Sequence, residues 1–515
     1  MLFNSYVFMF AYLPVVLAGY SIAGRFHRKA VVIWLGLASL GFYVYWHPPF
    51  VAILAGSILF NFLMSNLISR TLPNNIGTRL LLWFSISGNL ALLCWFKYLF
   101  PLLHWFSHFV PSHPNFGSVL LPIGISFFTF TQIAYLVDLQ QGAAVQQDFF
   151  SYLLFVTFFP HLIAGPILHH KDIMPQFQQN RTYRLRFDDL AIGASWFAMG
   201  LFKKVGMADN LAKFADKVFA AHGSVSSEAA WVGTLCYSLQ LYFDFSGYCD
   251  MACGLARMLS IDFPLNFSSP YKSKNIIDFW QRWHMTLTQY IMSYLYTPMQ
   301  LGITRRRRLA GKPVTRKAQS TAEGFFHMVA LPTALSMLLA GIWHGAGSQF
   351  LIFGMLHGMY LTVNHAWRIF RHPKALKPVA PVSKLLNHAA TVLLTYVCVV
   401  VAQVFFRAPN TADALLLLGR MVHLPMAAPT VSVGSSRTYA MEIVLGFIVV
   451  WAFPNTQQIL ARFKPALRLA PADELPRLIP VYWAPSARWG FVLGGMLMYA
   501  LIGMQTASTF LYFQF

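Results

Sequence analysis

Long apolar runs, broken by short polar or basic stretches, recur along the whole chain. A helix that crosses a bilayer needs about 20 predominantly apolar residues. On that criterion the pattern predicts spans near residues 2–24, 30–47, 50–68, 79–100, 118–137, 149–168, 189–206, 229–256, 325–343, 348–370, 385–407, 439–459 and 484–506. Some runs carry Pro and Gly inside them, as in Leu121–Gly124 (LPIG) and His161–Pro166 (HLIAGP). Broken backbone at membrane depth is tolerated only where protein or a watery cavity covers it. The pattern therefore predicts an all-α polytopic membrane protein with some re-entrant or horizontal segments and a thick, internally lined structure. Residues 1–515 read as a single membrane domain, with a basic cytoplasmic loop at 305–317 and polar, basic loops at 372–385 and 461–488.

Composition agrees. Of 515 residues, 57% are hydrophobic and only 11% charged, against about 25% charged in a soluble protein. Too few charges exist to cover a water-facing surface of this size. The 14 Trp and 22 Tyr suit the two membrane interfaces, where amphipathic rings are favoured. The net charge of +21 would raise nucleic-acid binding in a soluble chain. Here the basic residues fall between apolar runs, which fits topology signals and contact with anionic membrane lipids, so no nucleic acid is expected as a partner. Five cysteines, Cys94, Cys236, Cys249, Cys253 and Cys398, lie in apolar stretches with no CxxC pair and read as small buried hydrophobes.

Charge also orients the chain. Arg25, Arg28 and Lys29 follow the first span, and Arg70 and Arg79 follow the third; the turn His47-Pro48-Pro49 between the second and third has no Lys or Arg. The positive-inside rule puts the two basic connections in the cytoplasm and the N-terminus outside. The block Arg305–Arg308 with Lys312, Arg316 and Lys317 reads as a further cytoplasmic loop. The first apolar run has no basic segment before it and no cleavage site after it, so it reads as a retained helix and not as a signal peptide.

Against this background the ionisable residues inside apolar runs are the informative ones, because such groups are costly at membrane depth. Asp244 and Asp250 flank Ser246, Gly247 and Tyr248, and both carboxylates need partners. A polar network that pins helices is the leading reading, with substrate or proton contact as the other. In Asp278–His284 (DFWQRWH), Asp278 and Arg282 are spaced to pair on one helix face, Trp280 and Trp283 are three apart, and His284 lies on a different face. This segment reads as a horizontal or half-buried helix. In Ala340–Gly347 (AGIWHGAG), His344 sits beside Trp343 and among glycines that permit close approach of a backbone or ligand. Histidine is the usual general base near neutral pH, and burial favours its neutral, proton-accepting form. His357 reads as a structural histidine. His169 and His170 are adjacent at a segment end, poor metal-ligand geometry without further partners, and read as interfacial; no HExxH is present and no metal is expected. A Gly-x-Ser-x-Gly elbow, a Walker loop and a dinucleotide fingerprint are also absent from the sequence.

Six segments, in order, resemble the membrane-bound O-acyltransferase family: Met1–Ser5 (MLFNS), Leu121–Phe127 (LPIGISF), Phe159–Pro166 (FPHLIAGP), Tyr242–Tyr248 (YFDFSGY), Phe279–His284 (FWQRWH) and Gly341–Gly345 (GIWHG). The end, Phe510–Phe515 (FLYFQF), is also similar to the alginate-acetylating branch and its cellulose-acetylating relatives. The basic block at 305–317 and Gln281, where a second arginine is common, depart from the family pattern.

The resemblance implies a ring of roughly 11–13 transmembrane helices, with re-entrant or horizontal ones, around a thinned centre where a funnel from each side meets. It implies that His344 is the catalytic histidine and His284 the second histidine of the site, with Trp343, Asp244, Ser246, Tyr248, Arg282 and Trp283 in support. It further implies an O-acyltransferase, acetyl-CoA as a cytoplasmic donor with no bound cofactor, and O-acetylation of an exopolysaccharide such as alginate or cellulose. The expected setting is the bacterial inner membrane, with a periplasmic SGNH-like acetyltransferase and polysaccharide biosynthesis proteins as partners. Two alternatives stay open: D-alanyl transfer to teichoic acid from an acyl-carrier protein, and transport of an acyl group or glycan. The transporter lacks visible repeat symmetry in the sequence.

Overall fold

The computed structural model describes residues 1–71, 75–107, 117, 119–371, 381–423, 431, 436–467, 479–506 and 510–511, and among these every regular element is helical. Most of the loop expected at 372–385 and much of that at 461–488 lie outside the described residues, as does the end of the chain from 512. Among the described residues, six helical stretches are long and apolar enough to cross a membrane: Phe8–Phe26, Arg28–Trp46, Pro48–Arg70, Ile76–Ser107, Ala322–His344 and Val382–Arg407. Their outward faces carry Leu63, Trp83 and Leu394, each more than half exposed, a pattern that suits lipid and would be a liability in water. The chain is an all-α polytopic membrane protein.

The first helices follow the apolar pattern closely. α1 (Leu13–Phe26), α2 (Arg28–Trp46) and α3 (Pro48–Arg70) are joined by single residues, His27 and His47, both with extended backbone. His27 caps α2 by accepting from Ala30 N, and Pro48 opens α3 at a position where its missing N–H costs nothing. α4 (Ile76–Cys94) continues through a π-helical turn, Trp95–Leu99, into Phe100–Ser107.

The middle of the chain departs from simple spans. α5 (Ile125–Gln140) is buried on nearly all sides. The run expected as a span at 149–168 is instead α6 (Phe149–Thr157) followed by a single helical turn, Phe159–Leu162, and irregular backbone. Pro160 and Gly165 break it, and the surrounding protein buries the freed groups: Phe159 N donates to Ser39 Oγ, and Ile167 N to Thr286 Oγ1. α7 (Phe187–Leu201) and the 32-residue α9 (Ser227–Met258) form the densest pair, with α8 (Asp209–Ala220) beside them. Gly200 and Gly247 face each other across that pair; a Cβ on either would sit 2.7 Å from the other's carbonyl oxygen. Only glycine on both sides allows this approach.

Two further expectations need correction. Asp278–His284 is not one helix: a single turn, Ile276–Trp280, ends before Gln281, and His284 adopts a left-handed backbone (φ 45) before α10 (Met285–Ile291) begins. The arginine block is not a loop at its start, because Arg305–Arg308 form the last turns of α11 (Thr297–Leu309), where cations suit the helix dipole. Arg307 is buried and pairs with Glu323 at 3.2 Å, joined by Lys312 at 2.7 Å.

α12 (Leu331–His344) and α13 (Ser348–Phe370) then form a tight hairpin, with a π-helical turn, Phe326–Ala330, leading into α12. A Cβ on Gly341 would meet Phe350 O at 2.4 Å, and one on Gly354 would meet Met337 O at 2.5 Å. α14 (Pro381–Arg407) packs against α13, and α15 (Thr411–Met421), α16 (Ser436–Ala452) and α17 (Ala487–Gly503) follow.

Candidate active site

His344 is the last residue of α12 and is buried. It is common to the linings of two cavities. The larger, about 190 Å³, is bounded by Trp46, Lys97, Leu120–Phe127, Ile163 and Trp343. The smaller, about 30 Å³, is bounded by Trp280, Trp283, His284, Phe353, His357 and Phe406 among others. The imidazole is clasped edge-on by Phe406 (ring centroids 4.9 Å) and Phe353 (5.7 Å). The left-handed Gly124 starts α5 at the edge of the larger cavity; a Cβ there would lie 2.5 Å from Leu162 O, so the LPIG and HLIAGP breaks meet beside the site.

The end of α12 is held from outside. Lys97, from the π-helical turn after α4, donates its ammonium to the carbonyl of Trp343, and Tyr98 donates its hydroxyl to Ile342 O at 2.8 Å. These are among the last carbonyls of the helix, which have no partner within it. The Lys97 ammonium also lies 5.6 Å from the centre of the Trp343 ring. Trp343 stacks on Phe130 at 5.4 Å. Sequence reading passed over Lys97; its signal was a lone cation inside an apolar run.

His284 reaches the smaller cavity from the left-handed turn before α10. Asn266 builds that turn. Its side-chain oxygen accepts from Thr286 N (3.3 Å) and Thr286 Oγ1 (3.0 Å), and lies 3.0 Å from His284 Nδ1. Its main-chain oxygen accepts from Met285 N at 2.9 Å. Because that side-chain atom is an acceptor, His284 carries its proton on Nδ1 and its lone pair on Nε2. Phe245 holds the ring edge-on at 4.8 Å. His357, read from sequence as structural, also lines the smaller cavity and accepts from Trp280 Nε1 at 3.2 Å. Asn266, polar within an apolar stretch, carried a signal in the sequence that drew no attention.

The remaining expected residues divide. Trp343 and Trp283 line the cavities. Arg282 pairs with Asp278 at 2.7 Å and reaches Ser268 O at 3.4 Å, outside both linings. Asp244, Ser246 and Tyr248 also lie outside both. Asp244 binds Lys204 at 2.6 Å and accepts from Leu511 N at 3.0 Å. Asp250 binds the neighbouring Lys203 at 2.6 Å, with Trp196 Nε1 and Thr456 Oγ1. Both lysines come from one π-helical turn, Phe202–Ala208, after α7. Tyr248 stacks between Phe3 (4.8 Å) and Phe510 (4.6 Å), which joins both chain ends to the core.

All-helical packing, apolar stretches long enough to cross a membrane and two cavities that share a buried histidine define the class: a polytopic membrane protein with a candidate active site inside it. The chain's residues 31–310 match the model of the membrane-bound O-acyltransferase family. It is 40% identical over 463 residues to a peptidoglycan O-acetyltransferase of Helicobacter pylori, covering 82% of this chain and 80% of that one. It is 36% identical over 431 residues to the "Probable alginate O-acetylase AlgI" of Pseudomonas putida, with 82% and 80% covered. A teichoic acid D-alanyltransferase of Bacillus subtilis is 29% identical over 268 residues, covering 52% of this chain and 64% of that one. The chain belongs to the membrane-bound O-acyltransferase family and is an acyltransferase. The family match contains His284 and ends before His344.

Proposed function

We propose that the protein moves an acetyl group from cytoplasmic acetyl-CoA to a hydroxyl on the far side of the inner membrane, for O-acetylation of a polysaccharide. The observation that carries this is His344, common to two cavities. The larger is bounded by Trp46, next to the His47-Pro48-Pro49 turn, at the end of α2 opposite the basic turns. The acceptor enters there, and the donor thioester approaches from the His284 side.

In this reading the acceptor O–H gives its proton to His344 while its oxygen bonds to the thioester carbonyl carbon. The carbon–sulfur bond then breaks, and the thiol leaves with the proton returned by the imidazolium. A base placed in this way contributes about 10²–10⁴-fold. His284 and Trp343 position the reacting groups; Asp244 acts only through the packing it secures. The relatives named for polysaccharide O-acetylation support an exopolysaccharide or cell-wall glycan as final acceptor. A periplasmic SGNH-like acetyltransferase would carry the group onward. D-alanyl transfer has less support, since its relatives match about half of the chain.

The test uses purified protein in lipid nanodiscs with acetyl-labelled CoA and oligosaccharide acceptors, with and without such a partner enzyme. Label transfer that disappears in His344→Ala, with an unchanged melting profile, is the expected result. Transfer at the wild-type rate in that variant overturns the mechanism. In sealed vesicles, passage of label without a new ester would favour the transporter.

A further inference from the structure

The far end of α5 holds a second convergence of ionisable groups, outside the site described above. Asp138 projects from the last turn of α5 and is buried. One of its oxygens, Oδ2, lies 3.0 Å from His169 Nε2, 3.5 Å from His170 Nδ1, 3.0 Å from Tyr294 Oη and 3.7 Å from Lys171 Nζ. Tyr294 Oη is in turn 2.6 Å from His169 Nε2. Four donors face one oxygen that offers about two lone-pair positions. His170 is 6% exposed, with the Ala143 main chain and, at 3.5 Å, the Asp138 carboxylate as polar neighbours of its ring.

Adjacent histidines converge poorly on a regular element. Here the chain turns between them: His169 is extended (φ −97, ψ 135) and His170 begins the one-turn helix His170–Ile173. The two rings lie 4.6 Å apart as a result. One ligand atom from each of Asp138, His169 and His170 falls within 4.8 Å of the others. Nitrogen and oxygen ligands at about 2.0–2.2 Å from a tetrahedral ion are separated by about 3.3–3.5 Å. The pairs at 3.0 and 3.5 Å need only small side-chain rotations to meet that geometry. Two imidazoles and a carboxylate are also the donor set that suits zinc.

We propose that Asp138, His169 and His170 bind one divalent transition-metal ion of the zinc class, with Tyr294 or water in the fourth position. The half-exposed Lys171 swings to solvent as the ion takes its place. The ion is structural. It ties α5, the segment after the HLIAGP break and the π-helical turn Met292–Tyr296 into one unit. From there a ladder of rings runs to the active site: His169 to Tyr294 (6.1 Å), Tyr294 to Tyr290 (4.9 Å), Tyr290 to Phe130 (4.6 Å) and Phe130 to Trp343 (5.4 Å).

The test needs no activity. Full-length protein in nanodiscs is stripped with chelator, dialysed, and titrated with zinc alone and then with cobalt. About one equivalent of zinc per chain, a tetrahedral cobalt absorption band and a zinc-dependent rise in melting temperature are expected. Asp138→Asn and His170→Ala should each lose all three, while His222→Ala, at the exposed His222–Asp413 pair, should keep them. Lys171→Ala should bind zinc at least as tightly as the wild type, and keeps the test decisive if the ligand variants fail to fold. Binding below a tenth of an equivalent in the wild type, or zinc binding unchanged in folded His170→Ala, overturns the proposal and leaves a hydrogen-bonded cluster. Loss of acetyl transfer with zinc binding intact would count against the proposed function and not against the ion.

Discussion

The ammonium of Lys97 donates to the main-chain carbonyl of Trp343, the residue before His344. A cation on one helix thus fixes the end of another, and with it the direction in which the imidazole points. The same ammonium lines the larger cavity. Lysine is strongly hydrated and rarely fully buried without a partner, so its position in the wall of this cavity demands the carbonyl it caps.

Lys97→Met should therefore impair catalysis more than folding. A hydrogen bond to a charged group is worth about 1.5–3 kcal/mol, which corresponds to roughly 10–150-fold in rate if it is spent on aligning the imidazole. Acetyl-transfer assays should show kcat falling by that factor while the melting temperature shifts little. Lys97→Arg should recover part of the loss. Equal kcat in Lys97→Met would rule out the alignment role.

Asn266→Ala removes the acceptor for His284 Nδ1, Thr286 N and Thr286 Oγ1 at once. The expected result is a destabilisation of about 1–3 kcal/mol together with a loss of activity beyond what the lower stability explains. Asn266→Asp keeps the acceptor and should retain the Nδ1–H form of His284, visible by nitrogen NMR of labelled histidine. An unaltered histidine spectrum in Asn266→Ala would show that Asn266 does not set the tautomer.

Asp244→Asn separates support from chemistry. It leaves Lys204, itself buried, with one carboxylate partner fewer (Asp209, 2.7 Å, stays). Removing one member of a buried pair costs about 3–5 kcal/mol. Yield and melting temperature should drop sharply, while the activity per folded molecule, measured after size exclusion, stays within a few-fold of wild type. A stable but inactive Asp244→Asn would return Asp244 to the chemistry.

Phe353→Ala enlarges the smaller cavity beside His344, whose volume is about 30 Å³. The ratio of propionyl to acetyl transfer should rise in this variant, read from competing labelled donors. An unchanged ratio would mean that acyl length is selected elsewhere.

Much of this was legible from the chain alone. The existence of helices α1 to α3 follows from apolar run length; their one-residue joints, His27 and His47, are shorter than the breaks the polar residues predicted. The pairing of Asp278 with Arg282 follows from spacing of four residues, which a single helical turn satisfies. The helix across Asp278–His284 was misread because the aromatic periodicity is real, yet Asn266, some twenty residues earlier, supplies main-chain and side-chain acceptors that stabilise a left-handed His284. For Asp244 the helix-pinning network was the leading reading, because a carboxylate in an apolar run needs a partner; which partner was not legible, since Lys204 comes from another helix.

By itself, then, the sequence determined that the chain is an all-helical membrane protein, and it marked several of the ionisable residues inside apolar runs, His284 and His344 among them. Apolar burial and helical periodicity are local properties, and the cost of a charge in lipid marks those residues wherever they fall. Tertiary structure alone decided which of them meet. His344 and Lys97 are distant in sequence, as are Asp138 and the His169–His170 pair. Each convergence depends on where helices cross and on breaks such as Pro160 and Gly165, and no local pattern encodes a crossing.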